Sequence, residues 1–146
     1  MRTRPAARVT DLEEIAMSLP HVRTVPGFGG LPAFQVGKKL FAAFRSARPD
    51  AVDPDTGERL TDVIIIWTPD EQDKLALAQG PGPWFTTDHF NGYNAILIRQ
   101  AHLGRISRAE LAEVVTDAWC TRAPHSMVRK WQESQGDPDN RARSKQ

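Results

Sequence analysis

Three segments are predicted to be helical: residues 10–19, 68–79 and 107 towards Pro124. Apolar residues recur at helical spacing in the first and the third, whereas the second is indicated by the residues at its two ends. The clearest apolar stripe lies in the third segment and consists of Leu111, Val114, Val115, Ala118 and Trp119. Such spacing gives a helix one apolar face that can pack on a core. The pattern therefore predicts three helices, followed by a short final helix over residues 124–131.

Each of these segments opens with a capping box, in which a Ser or Thr is followed three residues later by Glu and both side chains pair with free backbone N–H groups. The predicted N-caps are Thr10, Thr68 and Ser107. We expect the first helix to stop at Pro20. We expect the second to stop at Gly80, because glycine commonly follows the last turn of a helix.

Between the predicted helices the apolar pattern repeats every two residues, which is typical of β-strands. Four such runs cover residues 33–36, 40–45, 61–67 and 93–98. The first two are joined by a tight turn at Gly37 and Lys38. The run at 61–67 is apolar on both faces, so we expect a central strand whose second face includes an exposed apolar patch.

Consecutive strands joined by turns form antiparallel sheets. With a short edge strand at residues 84–87, the pattern predicts an α+β fold, an antiparallel sheet of about five strands with helices packed on one face. The predicted domain covers residues 10–132. We expect residues 1–9 to be a flexible basic arm, residues 46–60 a long mobile loop and residues 133–146 a disordered tail.

The order and spacing of several short motifs resemble the MmcQ/YjbR-like family of small bacterial proteins. These motifs are Ser18-Leu-Pro20, Pro32-Ala-Phe-Gln-Val-Gly-Lys-Lys-Leu-Phe-Ala42, Thr68-Pro-Asp-Glu-Gln72, Asn91-Gly-Tyr-Asn-Ala-Ile-Leu-Ile98 and Arg129-Lys130. The resemblance covers residues 10–131 and implies a CyaY-like fold, compared with a double-wing DNA-binding arrangement. Family members are often labelled DNA-binding for that reason, which is an analogy from fold. The chain departs from the family pattern in its long segment 46–60 and in the start of its last strand at residues 91–93.

Charge is nearly balanced, with 19 Lys and Arg residues against 18 Asp and Glu. Such a chain has no general attraction for nucleic acid or membranes, so binding to a polyanion requires a local patch. The single cysteine, Cys120, excludes an internal disulfide, and the basic start of the chain lacks the apolar stretch of a secretory signal. The longest apolar run, residues 63–67, is too short to span a bilayer. These features predict a cytoplasmic protein without membrane contact and leave its oligomeric state open.

No pattern of residues points to catalysis, a cofactor or a metal. The histidines are scattered, and no two have the spacing of metal ligands on a helix: His21, His89, His102 and His125. We therefore expect a non-enzymatic binding module that holds neither cofactor nor metal.

Four basic residues at strand ends carry the leading hypothesis, which is weak, sequence-tolerant DNA binding. Lys38 and Lys39 occupy the tip of a hairpin, as in a wing, and Arg45 and Arg99 end strands that can reach the same rim. Cations in such positions contact phosphates without reading bases. The same lysines also improve solubility and protect a sheet edge, so this interpretation stays open beside DNA binding.

Two other functions compete with DNA binding. In the first, a small ligand or a partner protein binds the second face of the sheet around Trp67 and Tyr93. In the second, borrowed from the CyaY-like fold, the protein handles iron. Iron handling requires an acidic ridge, for which the first helix offers Asp11, Glu13 and Glu14.

Overall fold

The computed structural model describes residues 5–45, 52–53, 55–87 and 94–135. Five strands form one antiparallel sheet, and their order in the sheet is their order in the chain. The strands are β1 (Val22–Pro26), β2 (Pro32–Val36), β3 (Lys39–Arg45), β4 (Val63–Trp67) and β5 (Ala95–Arg99). The helices are α1 (Val9–Ser18), α2 (Glu71–Gln79), α3 (Arg108–Arg122) and α4 (His125–Gln135), with short 3-10 segments at Phe28–Gly30 and Gln100–Arg105. The predicted α+β class and the antiparallel sheet are confirmed.

Strand β1 is a strand that the periodicity did not predict. It lies at the edge of the sheet beside β2, and Arg23 and Thr24 at its centre are exposed. An edge strand with polar residues at its centre has no apolar alternation, which is the signal on which the prediction depended. The predicted edge strand at residues 84–87 is reduced to a single bridge, in which Phe85 and Leu97 exchange two backbone hydrogen bonds of 2.9 Å.

One of the three predicted helix caps is confirmed. Ser107 caps α3, and its Oγ accepts a hydrogen bond of 3.0 Å from the backbone N–H of Glu110. Helix α1 starts earlier than Thr10, with Arg8 as its N-cap. The cap of α2 is Asp70 rather than Thr68, because Asp70 Oδ1 accepts from the N–H of Asp73 (2.8 Å), whereas the hydroxyl of Thr68 donates to the carbonyl of Asp70 (3.2 Å). The backbone N–H of Thr68 donates to Asn94 O beside the sheet (2.8 Å).

Residues 5–9 also differ from the predicted flexible arm. The N–H of Ala7 donates to the carbonyl of Ile106 (2.9 Å), the N–H of Arg108 donates to the carbonyl of Pro5 (3.0 Å), and Ala7 is buried. These contacts tie the start of the chain to the start of α3. Residues 133–135 of the expected tail belong to α4 instead. Residues 1–4 of the arm, residues 136–146 of the tail, and residues 46–51 and 54 of the expected loop lie outside the described part of the chain.

The main core lies between one face of the sheet and the helices. Ile64 and Ile66 of β4 point to this side and pack with Leu12 of α1 and Trp119 of α3. The apolar stripe predicted for α3 faces this core, since four of its five residues are buried and Val114 is half-buried.

The second face of the sheet is also buried, and the expected exposed apolar patch is wrong. Val63 and Ile65 are 1% and 0% exposed. Phe28, Leu40 and Phe85 pack against this smaller cluster. A strand that is apolar on both faces must be covered on both sides, and the chain covers this second face with the residues around its turns.

Candidate nucleic-acid interface

The turn between β2 and β3 presents the two predicted lysines to solvent. Gly37 adopts a left-handed conformation with φ of 61°, which reverses the chain directly after β2. Lys38 and Lys39 follow it and are both exposed. The hairpin tip therefore has the position and the charge that the sequence predicts.

Arg45 and Arg99 lie at the opposite end of the sheet from these lysines. Strand β3 runs from Lys39 to Arg45, which separates its two ends by roughly 20 Å. Arg45 pairs with Val63, and Val63 pairs with Arg99, so the two arginines share one row across the sheet. The structure does not bring the four predicted basic residues together. Moreover, Arg45 is only 2% exposed and cannot reach a polyanion.

Arg99 is held by two carboxylates. Its Nε lies 3.1 Å from Asp62 Oδ1 and its Nη1 lies 3.3 Å from Asp53 Oδ2. The hydrogen bond to Asp62 and the charges of both carboxylates raise the pKa of Arg99. This arginine fastens the segment before β4 to the end of β5, which makes its role structural.

A second set of cations surrounds the lysine turn. Helix α3 ends here, and Arg122 Nε donates to the carbonyl of Leu40 (2.8 Å). The next residues pack on the turn, since a Cβ at Gly37 would lie 3.4 Å from Cδ of Pro124. Strand β1 begins on the other side, where Val22 pairs with Val36 and the exposed Arg23 bonds to Gln35 Oε1 (3.0 Å).

These elements enclose three neighbouring clefts of about 460, 440 and 210 Å³, in which the first two share Gly37 and the last two share His21 and Met127. We call this surface the basic groove. Its basic side chains are His21, Arg23, Lys38, Lys39, Arg122, His125 and Lys130. Among the described residues that line the three clefts there is no Asp or Glu. A groove with cations on all its walls attracts anions although the whole chain is nearly neutral.

Sequence reasoning found only the lysines of this groove. His21 and Arg23 lie at the unpredicted strand β1, and Arg122 reaches Leu40 across 82 positions of sequence. Two local signals were present: basic residues flank Pro124 at the junction of α3 and α4, and Lys130 lies one turn further along α4. Neither signal shows that the junction packs against the lysine turn.

The predicted alternative ligand face, the second face of the sheet around Trp67 and Tyr93, is covered by the smaller apolar cluster, and Tyr93 lies outside the described residues. A different cavity lies beside Trp67, on the helix side of the sheet. The cavity has a volume of about 370 Å³ between α2 and α3, and its walls include Leu77 and Val114. Three carboxylates also line it, those of Asp73, Glu113 and Asp117. Burial raises the pKa of Asp117, and the charges of the other two carboxylates add to the shift. A cation suits this cavity, and an anion does not.

The acidic ridge that iron handling requires is partly neutralised. Arg108 lies 3.2 Å from Asp11 and 3.6 Å from Glu14 across the α1–α3 contact. Within residues 5–45, 52–53, 55–87 and 94–135, no group of three or more His, Cys, Asp or Glu side chains is arranged to hold a metal ion. The iron hypothesis therefore receives no support from the geometry.

The fold and the groove define a small α+β protein with a five-stranded antiparallel meander and a basic cleft at one end of its sheet. The chain belongs to the YjbR family, because the YjbR family model matches residues 17–121. Among its relatives are the uncharacterized proteins Rv2570 of Mycobacterium tuberculosis (strain ATCC 25618 / H37Rv) and Mb2600 of Mycobacterium bovis. Each is 34% identical over 125 residues, an alignment that covers 74% of this chain and 92% of the relative. No solved structure gives a significant match.

None of the helices in the described part of the chain combines the length and the apolar character that crossing a membrane requires.

Proposed function

We propose that this protein is a non-enzymatic binding module that binds DNA weakly, and with little sequence preference, through the basic groove. The observation that carries the proposal is the convergence of seven basic side chains on three adjoining clefts without a carboxylate among the described lining residues. Phosphates recur along a nucleic-acid backbone, so cations that are spread along a groove can contact several of them at once.

The start of α4 adds to the positive potential of the groove. His125 is the first residue of this 11-residue helix and lines the cleft beside Lys38 and Lys39. The first N–H groups of a helix lack partners within the helix, and the helix dipole places partial positive charge there. A phosphate in this cleft would therefore meet both side-chain cations and the positive end of a helix.

Four of the cations are exposed and can contact phosphates, although one of them, Arg23, also bonds to the neutral side chain of Gln35 (3.0 Å); a fifth cation is held in place. Lys38, Lys39, Arg23 and Lys130 are exposed. Arg122 is occupied, because it bonds to Leu40 O and its guanidinium carbon lies 5.1 Å from the centre of the Trp67 ring. Four phosphate contacts predict a slope of about −3.6 when log affinity for duplex DNA is plotted against log salt.

The test is a fluorescence anisotropy titration of labelled duplex DNA at several salt concentrations. We expect the variant Lys38→Ala/Lys39→Ala to bind more weakly at low salt and to lower the slope to about −1.8, since two contacts remain. The control is Arg59→Ala/Arg105→Ala, which removes the same charge from exposed residues outside the groove. No binding by the wild type at low salt would end the proposal. Equal losses in both double variants would show that only net charge matters.

A second candidate function rests on the cavity beside Trp67. Its apolar walls and three carboxylates favour a small organic cation, which would place an ammonium group at the carboxylates and an apolar part against the indole. Titration calorimetry with alkylamines tests this alternative, and Asp117→Asn should weaken their binding.

Location in the cytoplasm, where DNA is accessible to a bacterial protein, stays a prediction.

A further inference from the structure

The smallest cleft of the basic groove has an aromatic wall. It lies between the turn that joins α1 to β1 and one face of α4, with a volume of about 210 Å³. Its lining residues are Pro20, His21, Met127, Lys130, Trp131 and Ser134. The last four are spaced i, i+3, i+4 and i+7, so they share one face of α4. We call this space the aromatic cleft.

The walls of the aromatic cleft are fixed by the core. The indole N–H of Trp119 donates to the carbonyl of Pro20 (3.1 Å). Trp131 packs edge-on against the same buried indole, with ring centroids 5.4 Å apart and an angle of 60°. One tryptophan therefore holds both sides of the cleft, while Trp131 itself stays half-buried and lines the open space.

His21 is held at the rim in an unusual backbone conformation. Its φ is 60°, the one left-handed value among the non-glycine residues that the structure describes, and its side chain is exposed. Such a conformation is costly for a residue with a Cβ and persists where the surrounding structure imposes it. Here it brings an imidazole to the rim of the cleft, on the side where the cleft joins the rest of the basic groove.

We propose that the aromatic cleft receives an unpaired base, so that the protein prefers single-stranded over duplex DNA. This inference rests on the proposed function and names the form of nucleic acid. The cleft combines an indole, an imidazole and a thioether, which pack on the face of any base, with the ammonium of Lys130 for a phosphate. Bases in a duplex are already stacked on one another and cannot enter without being flipped out.

The size and position of the cleft agree with one base rather than with a larger ligand. Its volume lies below the roughly 300 Å³ at which pockets for drug-sized ligands begin. It is continuous with the cleft at Arg23 and, through Gly37, with the cleft at the lysine turn. A strand whose phosphates follow those cations would bring a base to Trp131. Stacking of one base on an aromatic side chain raises affinity by about 5- to 150-fold.

The experiment compares three labelled probes of equal length by anisotropy: a mixed-sequence single strand, its duplex, and an abasic single strand. We expect the single strand to bind at least fivefold more tightly than both of the others, because only it offers both phosphates and free bases. Equal or tighter binding of the duplex would overturn the inference and leave the proposed function intact. Equal binding of the abasic strand would also overturn it. If no probe binds, the proposed function itself fails.

Variants of the cleft locate the effect. Trp131→Leu keeps apolar volume and removes the flat ring, so it should abolish the preference for the single strand, whereas Trp131→Phe should retain most of it. Lys130→Ala should weaken binding of all three probes, and Arg129→Ala is the matched control on the same helix outside the cleft. A Trp131→Leu variant that melts like the wild type and keeps the full preference would overturn the assignment of the base to this cleft.

Discussion

Trp119 is the side chain on which both the core and the groove depend, and its truncation is a sharp test of the structure. It is 0% exposed, it packs on Trp131, and its indole N–H bonds to Pro20 O. Truncating a buried Trp to Ala costs about 3–5 kcal/mol. The lost hydrogen bond to a carbonyl adds about 1 kcal/mol. The sum is comparable to the whole free energy of unfolding of many domains, which is about 5–15 kcal/mol.

Urea denaturation followed by circular dichroism measures this loss. We expect Trp119→Ala to be largely unfolded or to have a much lower midpoint, with a free energy of unfolding reduced by about 4–6 kcal/mol. Trp119→Phe keeps most of the volume and loses the hydrogen bond, so its cost should be smaller, about 1–2 kcal/mol. Leu75→Ala, on the exposed face of α2, serves as the control and should stay within about 0.5 kcal/mol.

An unchanged midpoint in Trp119→Ala would refute the reasoning, because it would mean that the stripe of α3 does not face the core. A cost for Trp119→Phe as large as that for Trp119→Ala would instead show that the hydrogen bond to Pro20, rather than packing, carries most of the effect.

Three further predictions test other parts of the structure. Arg99→Ala should lower the free energy of unfolding by about 1 kcal/mol, as expected for a partly exposed ion-pair network, and should leave the affinity for DNA unchanged; weaker DNA binding at equal stability would return Arg99 to the interface. Asp70→Ala should cost about 1 kcal/mol by removing the cap of α2, whereas Thr10→Ala should be nearly neutral because Thr10 caps no helix; urea midpoints of the two variants compare them directly. The pKa of Asp117 is raised in the folded protein, so the folded state holds this proton to higher pH than the unfolded state and the contribution of Asp117 to stability falls as pH rises above 3.8. We therefore compare the free energy of unfolding of Asp117→Asn with that of the wild type, and this difference should favour the variant more at pH 7 than at pH 3. A difference that does not change with pH would contradict the raised pKa.

Local patterns in the sequence determined most of the secondary structure. Runs with a period of two predicted β2, β3, β4 and β5, because alternating or fully apolar strands must be buried on at least one face. The stripe of α3 and its Ser107 cap were equally local, since both depend on residues within a few turns. Strand β1 was missed because its pairing with β2, and not its own composition, makes it a strand.

The caps of α1 and α2 show where local chemistry competes with tertiary contacts. Thr68 has the right spacing for an N-cap, yet its N–H bonds to Asn94 beside β5 and its hydroxyl donates to the carbonyl of Asp70, so Asp70 caps the helix instead. Similarly, residues 5–9 read as a basic arm but pair with the start of α3, which lies about a hundred positions further along the chain. A window of ten residues contains no information about such partners.

The candidate site also has one part that the local sequence predicts and another that depends on tertiary contacts. The sequence by itself determined that Lys38 and Lys39 project from a tight turn, because Gly37 and the two flanking strands are adjacent in the chain. Only the tertiary structure decided which other cations join them. The direction of β3 carries Arg45 to the far end of the sheet, and carboxylates from distant segments hold Arg99. The packing of the α3–α4 junction against the turn brings Arg122 and His125 into the groove instead, through contacts that span about eighty residues and that no local pattern encodes.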